Sequence, residues 1–466
     1  MKKAVISVFF LTVFLLNFLP VKDTDFGWHY RCGEKFLTSG KLCLTNNFSY
    51  FLPNYRVANP SFIYDIGLAW IFDHFGFPGV SFAGAAVSTV IAWLLFCIFA
   101  AETWLAILAT ILVFLFSGTV FNLGLRSQLL TIYFFVLTLL ILEKALNGNH
   151  KYLFFLPLLL IIWVNTHIGF FLGPLLLAVF FIHQLFQKRL AAKILLFYLV
   201  IVTLAFLASL VNPFTYHVYP EIFRHAQTPL SSMIAEWVAP PLWQQVMMVT
   251  STAFLLVIFL RKRIFNIFQL ALLIGFLLLA LSASRNLPFY YLVFFYIFGK
   301  NVKLDFQRLK TINTLLLSAL ILMIILVIPG IISAVNFDTS WEEYCSGGLS
   351  VYPCAAVKNF PALSGNVYAM YEWGGFLIWQ KPNIKVFVDG RMPAWTDENG
   401  ESPYEVFLRI IQTQPGWNET LEKWHTDYLL IGNGTFLDLL LQKEAARFGW
   451  QEKYRDKVTV IYRSSR

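Results

Sequence analysis

Directly behind the first apolar stretch stands Asp23-Thr24-Asp25-Phe26-Gly27-Trp28-His29-Tyr30-Arg31. Two carboxylates at i and i+2 can hold a divalent cation through oxygen ligands, or one of them can serve as a base. His29 follows Asp25 by four residues, on the same face if a helix begins there. The same residues also suit a structural task, with Asp23 and Asp25 capping an interfacial helix whose Trp28 and Tyr30 sit at headgroup level. Capping does not exclude catalysis. A further acid, Glu236, stands alone in Ser231-Ser232-Met233-Ile234-Ala235-Glu236-Trp237 and reads as a solvated loop carboxylate. His217 and His225 nearby fit no metal-ligand spacing. Short turns carry Arg126 in Leu125-Arg126-Ser127-Gln128, His167 in Trp163-Val164-Asn165-Thr166-His167, and Arg285 in Ser284-Arg285-Asn286. An arginine in such a turn can meet an anionic lipid phosphate or a carboxylate from the first loop. His167 reads as a hydrogen-bonded turn residue.

The C-terminal part holds Tyr371-Glu372-Trp373-Gly374-Gly375-Phe376-Leu377-Ile378-Trp379, then Lys385-Val386-Phe387-Val388-Asp389-Gly390-Arg391. Aromatics around a Gly-Gly and an acid can form a flat platform for a sugar or peptide. The second string reads as a buried strand ending in a turn that projects Asp389 and Arg391. These two are expected to pair with each other or with Glu372.

The elements that must position these residues are mostly membrane spans. Of 466 residues, 58% are hydrophobic and only 13% charged. A soluble domain has roughly 25% charged residues, so an ordinary globule and a disordered chain are excluded. Apolar runs at residues 4–19, 79–100, 103–120, 128–144, 151–165, 168–187, 193–211, 243–260, 265–282, 286–299 and 311–334 approach the ~20 residues needed to cross hydrocarbon. The first is read as an uncleaved span, because no small-x-small cleavage site precedes Asp23. The net charge of +9 needs no nucleic-acid partner, since basic residues lie in short loops. Lys188-Arg189 with Lys193, Arg261-Lys262-Arg263, and Lys300 through Lys310 are assigned to the cytoplasm. The stretch Pro60–Phe75 carries Asp65, Asp73 and His74, costly in lipid. It is read as lying along the interface, which leaves eleven crossings, the N-terminus cytoplasmic and the C-terminus outside.

The expected fold is therefore a polytopic α-helical membrane protein with an extracytoplasmic α/β domain. Residues 1–335 form the transmembrane domain, with outer loops at 21–78 and 212–242, and residues 336–466 the outer domain. In the latter, β-rich runs (Asn366–Met370, Lys385–Val388, Tyr428–Ile431, Val458–Tyr462) alternate with helical ones (Tyr404–Gln412, Phe436–Phe448). Cys32 with Cys43 and Cys345 with Cys354 fall outside, where disulfides persist, although spacing alone leaves free thiols open. Cys97 reads as a buried apolar residue in a span.

Taken together, the stretch Asp23–Tyr30 with Gly33-Glu34, and Asn47-Phe48-Ser49-Tyr50 after it, resembles the first outer loop of GT-C-type integral-membrane glycosyltransferases. It is most similar to a large bacterial group that reads roughly Asp-x-Asp-x-Trp-Trp-His-x-x-x-Gly there. The run Trp163–Phe170, Asn212-Pro213-Phe214, Glu236-Trp237, and Glu372-Trp373-Gly374-Gly375 with Asp389-Gly390-Arg391 also match that group. A more distant likeness is to the catalytic subunit of oligosaccharyltransferase. Met233–Glu236 and Tyr371–Gly375 occupy the places of its Thr-Ile-x-Glu and Trp-Trp-Asp-Tyr-Gly strings, but Trp-Asp-Tyr is missing here. Sequon recognition is therefore not carried over.

The resemblance implies a transferase in the inner membrane that uses a polyprenyl-phosphate-linked sugar donor on the outer face. It implies Asp25 as base or metal ligand, with Asp23 or Glu236 as second ligand and His29 beside them. Arg126 or Arg285 would face the donor phosphate. Glu372, Trp373, Gly374, Asp389 and Arg391 would form an acceptor or tail site. A divalent cation (Mg or Mn) would be held by Asp23, Asp25 and Glu236 if one is used, and a glycan, lipid or protein would accept the sugar. The competing reading is a non-catalytic GT-C-like protein that binds lipid-linked glycans or a partner. A transporter or flippase fits less well, since the acids lie in outer loops rather than within spans.

Overall fold

The computed structural model describes the chain except residues 1, 57, 59, 100–102, 188–190, 229, 231–233, 264–265, 303–309, 335–344, 346–351, 398–399 and 466. In 310–314 and 330–334 it describes the helix alone. Lys188-Arg189, Ser231–Met233, most of the basic stretch Lys300–Lys310 and the expected domain junction at 335/336 therefore lie outside the described residues.

In chain order the helices are α1 (Lys2–Leu16), α2 (Phe26–Ser39), α3 (Phe62–Ile98), α4 (Thr103–Phe116), α5 (Gly118–Phe121), α6 (Ser127–Leu146), α7 (Leu156–Val164), α8 (Leu172–Leu185), α9 (Ala192–Ala208), α10 (Val218–Gln227), α11 (Leu242–Lys262), α12 (Ile267–Ser282), α13 (Leu287–Asn301) and α14 (Lys310–Ala334). Among the described residues, four helical segments are long and apolar enough to cross a membrane: 62–98, 127–146, 168–185 and 235–262. Five shorter apolar helices accompany them, at 103–116, 150–164, 192–208, 267–282 and 315–329.

The chain divides into two compact units. The first comprises Met1–Leu19, Ser81–Val218 and Ile234–Val335, and the second Pro20–Val80, Tyr219–Met233 and Asn336–Arg466. In the first unit, Val5, Phe9 and Val13 of α1 pack with Ala92, Ile107 and Leu320. These helices are apolar on every side, as a helix with both protein and lipid neighbours must be.

Three helices of this unit run parallel. Arg126 precedes α6, Glu236-Trp237 precede α11, and Arg285 precedes α13. At the other ends, Glu143 of α6 pairs with Lys300 of α13 and accepts from Tyr296 Oη at 2.5 Å. Lys262 of α11 donates to the Asn301 carbonyl at 2.7 Å. With about 1.5 Å of rise per residue, the two ends lie roughly 24 Å apart. Lys144, Arg261, Lys262 and Lys300 thus occupy helix C-termini, where cations complement the macrodipole.

The second unit is built on a five-stranded mixed sheet: β1 (Gly365–Ala369), β2 (Ile384–Val386), β3 (Tyr428–Gly432), β4 (Trp450–Arg455) and β5 (Thr459–Ser464), in the order β2-β1-β3-β5-β4. β1 pairs in parallel with β2 and β3, and β5 pairs antiparallel with β3 and β4. The first loop extends this sheet. Ser49 bridges Val386 in parallel, and its hydroxyl donates to the Phe387 carbonyl at 2.9 Å. Tyr50 and Phe51 then join the core of Tyr368, Phe387, Trp395, Phe407 and Tyr462. The loop of residues 20–80 groups with the C-terminal part because its apolar residues complete that core.

The stretch Pro60–Phe75 is the first half of α3, and Gly76 separates it from the apolar half. Gly76 has φ 60° and ψ −158°, a conformation open essentially to glycine alone. Asp65 is buried in the second unit rather than set toward lipid. Cys32 pairs with Cys43 across a Cα separation of 5.6 Å, and Cys345 with Cys354 across 6.4 Å. Both separations suit disulfides. Cys97, expected to be buried, is an exposed free thiol on the apolar half of α3.

Candidate active site

Asp23 and Asp25 lie at the turn that opens α2. Asp25 is the N-cap residue, but its side chain makes no capping hydrogen bond. Asp23 serves the turn instead: its Oδ1 accepts from the Asp25 N–H at 3.2 Å, and its carbonyl accepts from the Phe26 N–H at 3.2 Å. The expected headgroup aromatics are also placed differently. Trp28 and Tyr30 are buried, Trp28 stacked on His29 and Tyr30 on Phe26.

What positions Asp25 is a set of close backbone approaches. A Cβ on Gly390 would overlap the Asp25 carboxylate, so only glycine admits that carboxylate beside the Asp389-Gly390-Arg391 turn. A Cβ on Gly375 would overlap the Thr24 carbonyl, and one on Gly27 the Gly375 carbonyl. The Glu-Trp-Gly-Gly string and the Asp-Gly-Arg turn therefore both abut the first loop, although more than 340 residues separate them from it.

One turn along α2 from Asp25, His29 Nδ1 lies 2.5 Å from Asp65 Oδ1, with both residues buried. Ser61 Oγ donates to the same oxygen at 3.1 Å, and Tyr64 meets the His29 ring edge-on. Asp65 thus fixes the orientation of His29. Tyr352, buried and stacked on Phe376 at 5.1 Å, is the other group that senses this turn. Burial and the nearby Asp23 and Asp25 carboxylates push its phenol well above the usual tyrosine range.

The residues expected as an acceptor platform divide. Glu372 is exposed, whereas Trp373 and Gly374 are buried. Gly374 begins the short helix Gly374–Gln380, and Phe376 and Trp379 point into the unit's interior, Trp379 against Phe26 at 5.6 Å. The string is packed core rather than an open aromatic surface. Arg391 grips Asp389 through Nε–Oδ1 at 2.8 Å and Nη2–Oδ2 at 2.7 Å. Their side chains are 5% and 0% exposed. Arg391 also donates to Asn46 Oδ1 at 3.1 Å and lies over the rings of Phe48 and Trp395. Asp389–Arg391 is thus a buried, bidentate pair that fastens the first loop.

The first unit holds the second cluster. Arg126 Nη1 lies 3.0 Å from Glu236 Oε2, and Arg285 Nη1 lies 3.4 Å from Glu236 Oε1. The carboxylate partner of both arginines is therefore Glu236 rather than an acid of the first loop. Arg285 also stacks over Trp237 at 4.4 Å, and its carbonyl accepts from Gln128 Nε2 at 3.2 Å. Burial alone would raise the Glu236 carboxyl, but Arg285, Arg126 and His167 pull it down to about 2. Two guanidiniums and one carboxylate leave one net positive charge at the N-termini of α6, α11 and α13, where the macrodipoles add further positive potential.

Of the acids expected to hold a metal, Asp23 and Asp25 stand at the start of α2, whereas Glu236 lies between Arg126 and Arg285. Glu236 is committed to two arginines, and Asp23 Oδ1 to a backbone N–H. Among the described residues, no three His, Cys, Asp or Glu side chains gather so as to hold an ion. Asp65, Asn46 and Tyr352 are the site residues that motif reading passed over, and Gly390 was quoted in the Asp389-Gly390-Arg391 motif without a role. Asp65 had a signal, an acid within an apolar run; Asn46 and Tyr352 had none.

No family model matches the chain, and no curated protein matches it by sequence. Solved structures do match by fold. The oligosaccharyltransferase AglB of Archaeoglobus fulgidus, in complex with an inhibitory peptide and a dolichol-phosphate, superposes with a TM-score of 0.57 at 12% identity, covering 99% of this chain and 74% of AglB. An oligosaccharyltransferase structure from the same organism, a complex with zinc and sulfate, gives 0.51 at 12% identity over 99% and 73%. ArnT from Cupriavidus metallidurans bound to undecaprenyl phosphate gives 0.51 at 10% identity over 98% and 96%. The chain thus shares the fold of these oligosaccharyltransferase and ArnT structures, with apolar helices suited to a membrane and a C-terminal sheet domain.

Proposed function

We propose that the protein is a membrane glycosyltransferase that moves a sugar from a polyprenyl-phosphate-linked donor to an acceptor on the outer membrane face. The observation that carries this reading is the Arg126–Glu236–Arg285 cluster. It is a net positive site at the N-termini of three parallel apolar helices, suited to the phosphate of a lipid whose tail lies in hydrocarbon. The bound dolichol-phosphate and undecaprenyl phosphate of the fold neighbours support it. In this reading eleven spans put the N-terminus in the cytoplasm and the sheet domain outside.

The step is assigned as follows. The Asp25 carboxylate takes the proton of an acceptor hydroxyl as that oxygen bonds to the anomeric carbon. The bond from the anomeric carbon to the phosphate oxygen breaks, and its electron pair leaves on the polyprenyl phosphate. Arg126 and Arg285 stabilise the charge that develops there. His29, oriented by Asp65, supports the turn that carries Asp25.

The test is native mass spectrometry of the detergent-purified protein with polyprenyl-phosphate sugars, for wild type and Asp25→Asn. Binding by both, with release of polyprenyl phosphate by wild type only, is the expected result. Binding without turnover in either, with candidate acceptors supplied, would make the protein a non-catalytic binder.

A further inference from the structure

A helix on the surface of a soluble protein turns its charges to water and its apolar residues to the core. In α10 the order is reversed. Glu221, its one acid, is 6% exposed and accepts from Arg224 Nη1 at 2.8 Å. The same Arg224 nitrogen donates to Tyr55 Oη at 2.6 Å, and Tyr55 stacks on the buried Trp395 at 4.6 Å. The polar side of α10 is thus fastened to the first loop. The other side carries Pro220, Phe223, Ala226 and Gln227, spaced three and four apart, and all four are exposed. Phe223 is 65% exposed. Arg224 stands between the two sides, with its side chain 38% exposed.

The neighbours of α10 in the chain show what suits such a face. Leu207 and Val211, at and just beyond the end of α9, are exposed, as are Leu242 and Trp243 at the start of α11. α9 is an apolar helix, and residues 235–262 form a segment long and apolar enough to cross a membrane. Exposed apolar side chains at the ends of such helices belong in lipid or at headgroup level. The chain therefore leaves one apolar helix and enters the next with exposed apolar residues throughout, and α10 is the link. A short helix with an apolar outward face and a cation at its edge has the pattern of one that lies in the membrane interface.

We propose that α10 lies in the plane of the outer membrane surface, with Pro220, Phe223 and Ala226 facing lipid and Arg224 at headgroup level. The occupant of this face is bilayer lipid. The inference rests on reading α9 and α11 as membrane helices. Through Arg224 and Tyr55, a lipid-seated α10 also holds the first loop against the sheet domain.

The experiment is spin-label accessibility in the full-length protein, reconstituted in phosphatidylcholine nanodiscs. Cys97 is first replaced by alanine, since it is the free thiol and the other four cysteines are paired. Labels are placed at Phe223→Cys and Ala226→Cys, and each variant is checked by thermal melting. Leu278→Cys, exposed on α12, is the lipid reference, and Lys453→Cys, exposed on β4, the water reference. Collisions with oxygen report lipid, and collisions with a water-soluble nickel chelate report solvent. At 223 and 226 oxygen should dominate, with a ratio shifted from the Lys453 value towards that of Leu278, corresponding to about 5–10 Å below the headgroup surface. A ratio equal to that at Lys453 would overturn the proposal and make the face solvated. Labels shielded from both reagents would also overturn it, in favour of a protein occupant such as a second copy. A solvent-like ratio at Leu278 itself would overturn the membrane reading together with the proposal.

Discussion

Replacing Glu236 with Gln tests the charge cluster most directly. The carboxyl sits at about 2 in place of its ordinary 4.5. A difference of about 2.5 pH units corresponds to about 3.4 kcal/mol of preferential interaction with the ionised form. The side chain is 24% exposed, so solvent screens part of this, and about 2–3 kcal/mol is the expected loss at neutral pH. The variant would also leave two guanidiniums facing each other without their shared counter-charge. The sign of the pH dependence follows from the lowered value. The stabilisation is complete above about 4.5 and drains away as the pH falls towards 2. Thermal unfolding of the purified protein in detergent, followed by tryptophan fluorescence, should place Glu236→Gln roughly 2–6 °C below wild type at pH 7. The gap should narrow below pH 4.5. Equal melting temperatures at pH 7, or a gap that does not change with pH, would refute the argument that Glu236 neutralises the two arginines.

Further outcomes concern the second unit. Arg391→Leu should cost about 3–5 kcal/mol, because it strands the fully buried Asp389 carboxylate, and Arg391→Lys should recover little of the bidentate grip; chemical denaturation reads both. Gly390→Ala should displace Asp25 and lower stability by about 1–3 kcal/mol through overpacking, seen as a lower melting temperature together with lost turnover. Reducing Cys32–Cys43, 11 residues apart, should release about 3 kcal/mol of loop constraint, measurable as a shift in melting temperature with and without dithiothreitol.

The membrane helices were legible because hydrophobicity over about 20 residues is a local signal. Each apolar run falls on a helix, and the bend at Gly76 agrees with the separate reading of Pro60–Phe75. Four strands were legible from β-rich apolar runs. The fifth, Trp450–Arg455, was not, because it is an edge strand with Gln451, Glu452 and Lys453 exposed, so no apolar alternation marks it. The pairing of Asp389 with Arg391 followed from their spacing. The burial of Trp373 and Trp379 did not, since an aromatic beside Gly-Gly reads the same whether it faces solvent or core. The partners of Asp25 and His29 come from distant segments, and one sequence carries no trace of such proximity. Local chemistry named Arg126, Arg285 and Glu236 separately; only the parallel course of α6, α11 and α13 brings them together.

The seating of the first loop on the sheet has a consequence for biosynthesis. Ser49 is anchored to Phe387 and Asn46 to Arg391, across separations of 338 and 345 residues. At about 5–20 residues per second, the ribosome supplies those anchors roughly 20–70 s after the loop itself emerges. Throughout that interval Tyr50 and Phe51 have no core to enter. The short Cys32–Cys43 link, which needs nothing made later, is the one covalent constraint the described residues offer the waiting loop. A truncation that removes Phe387 through Arg391 would therefore be felt at the opposite end of the chain as well, as a first loop left without its anchors.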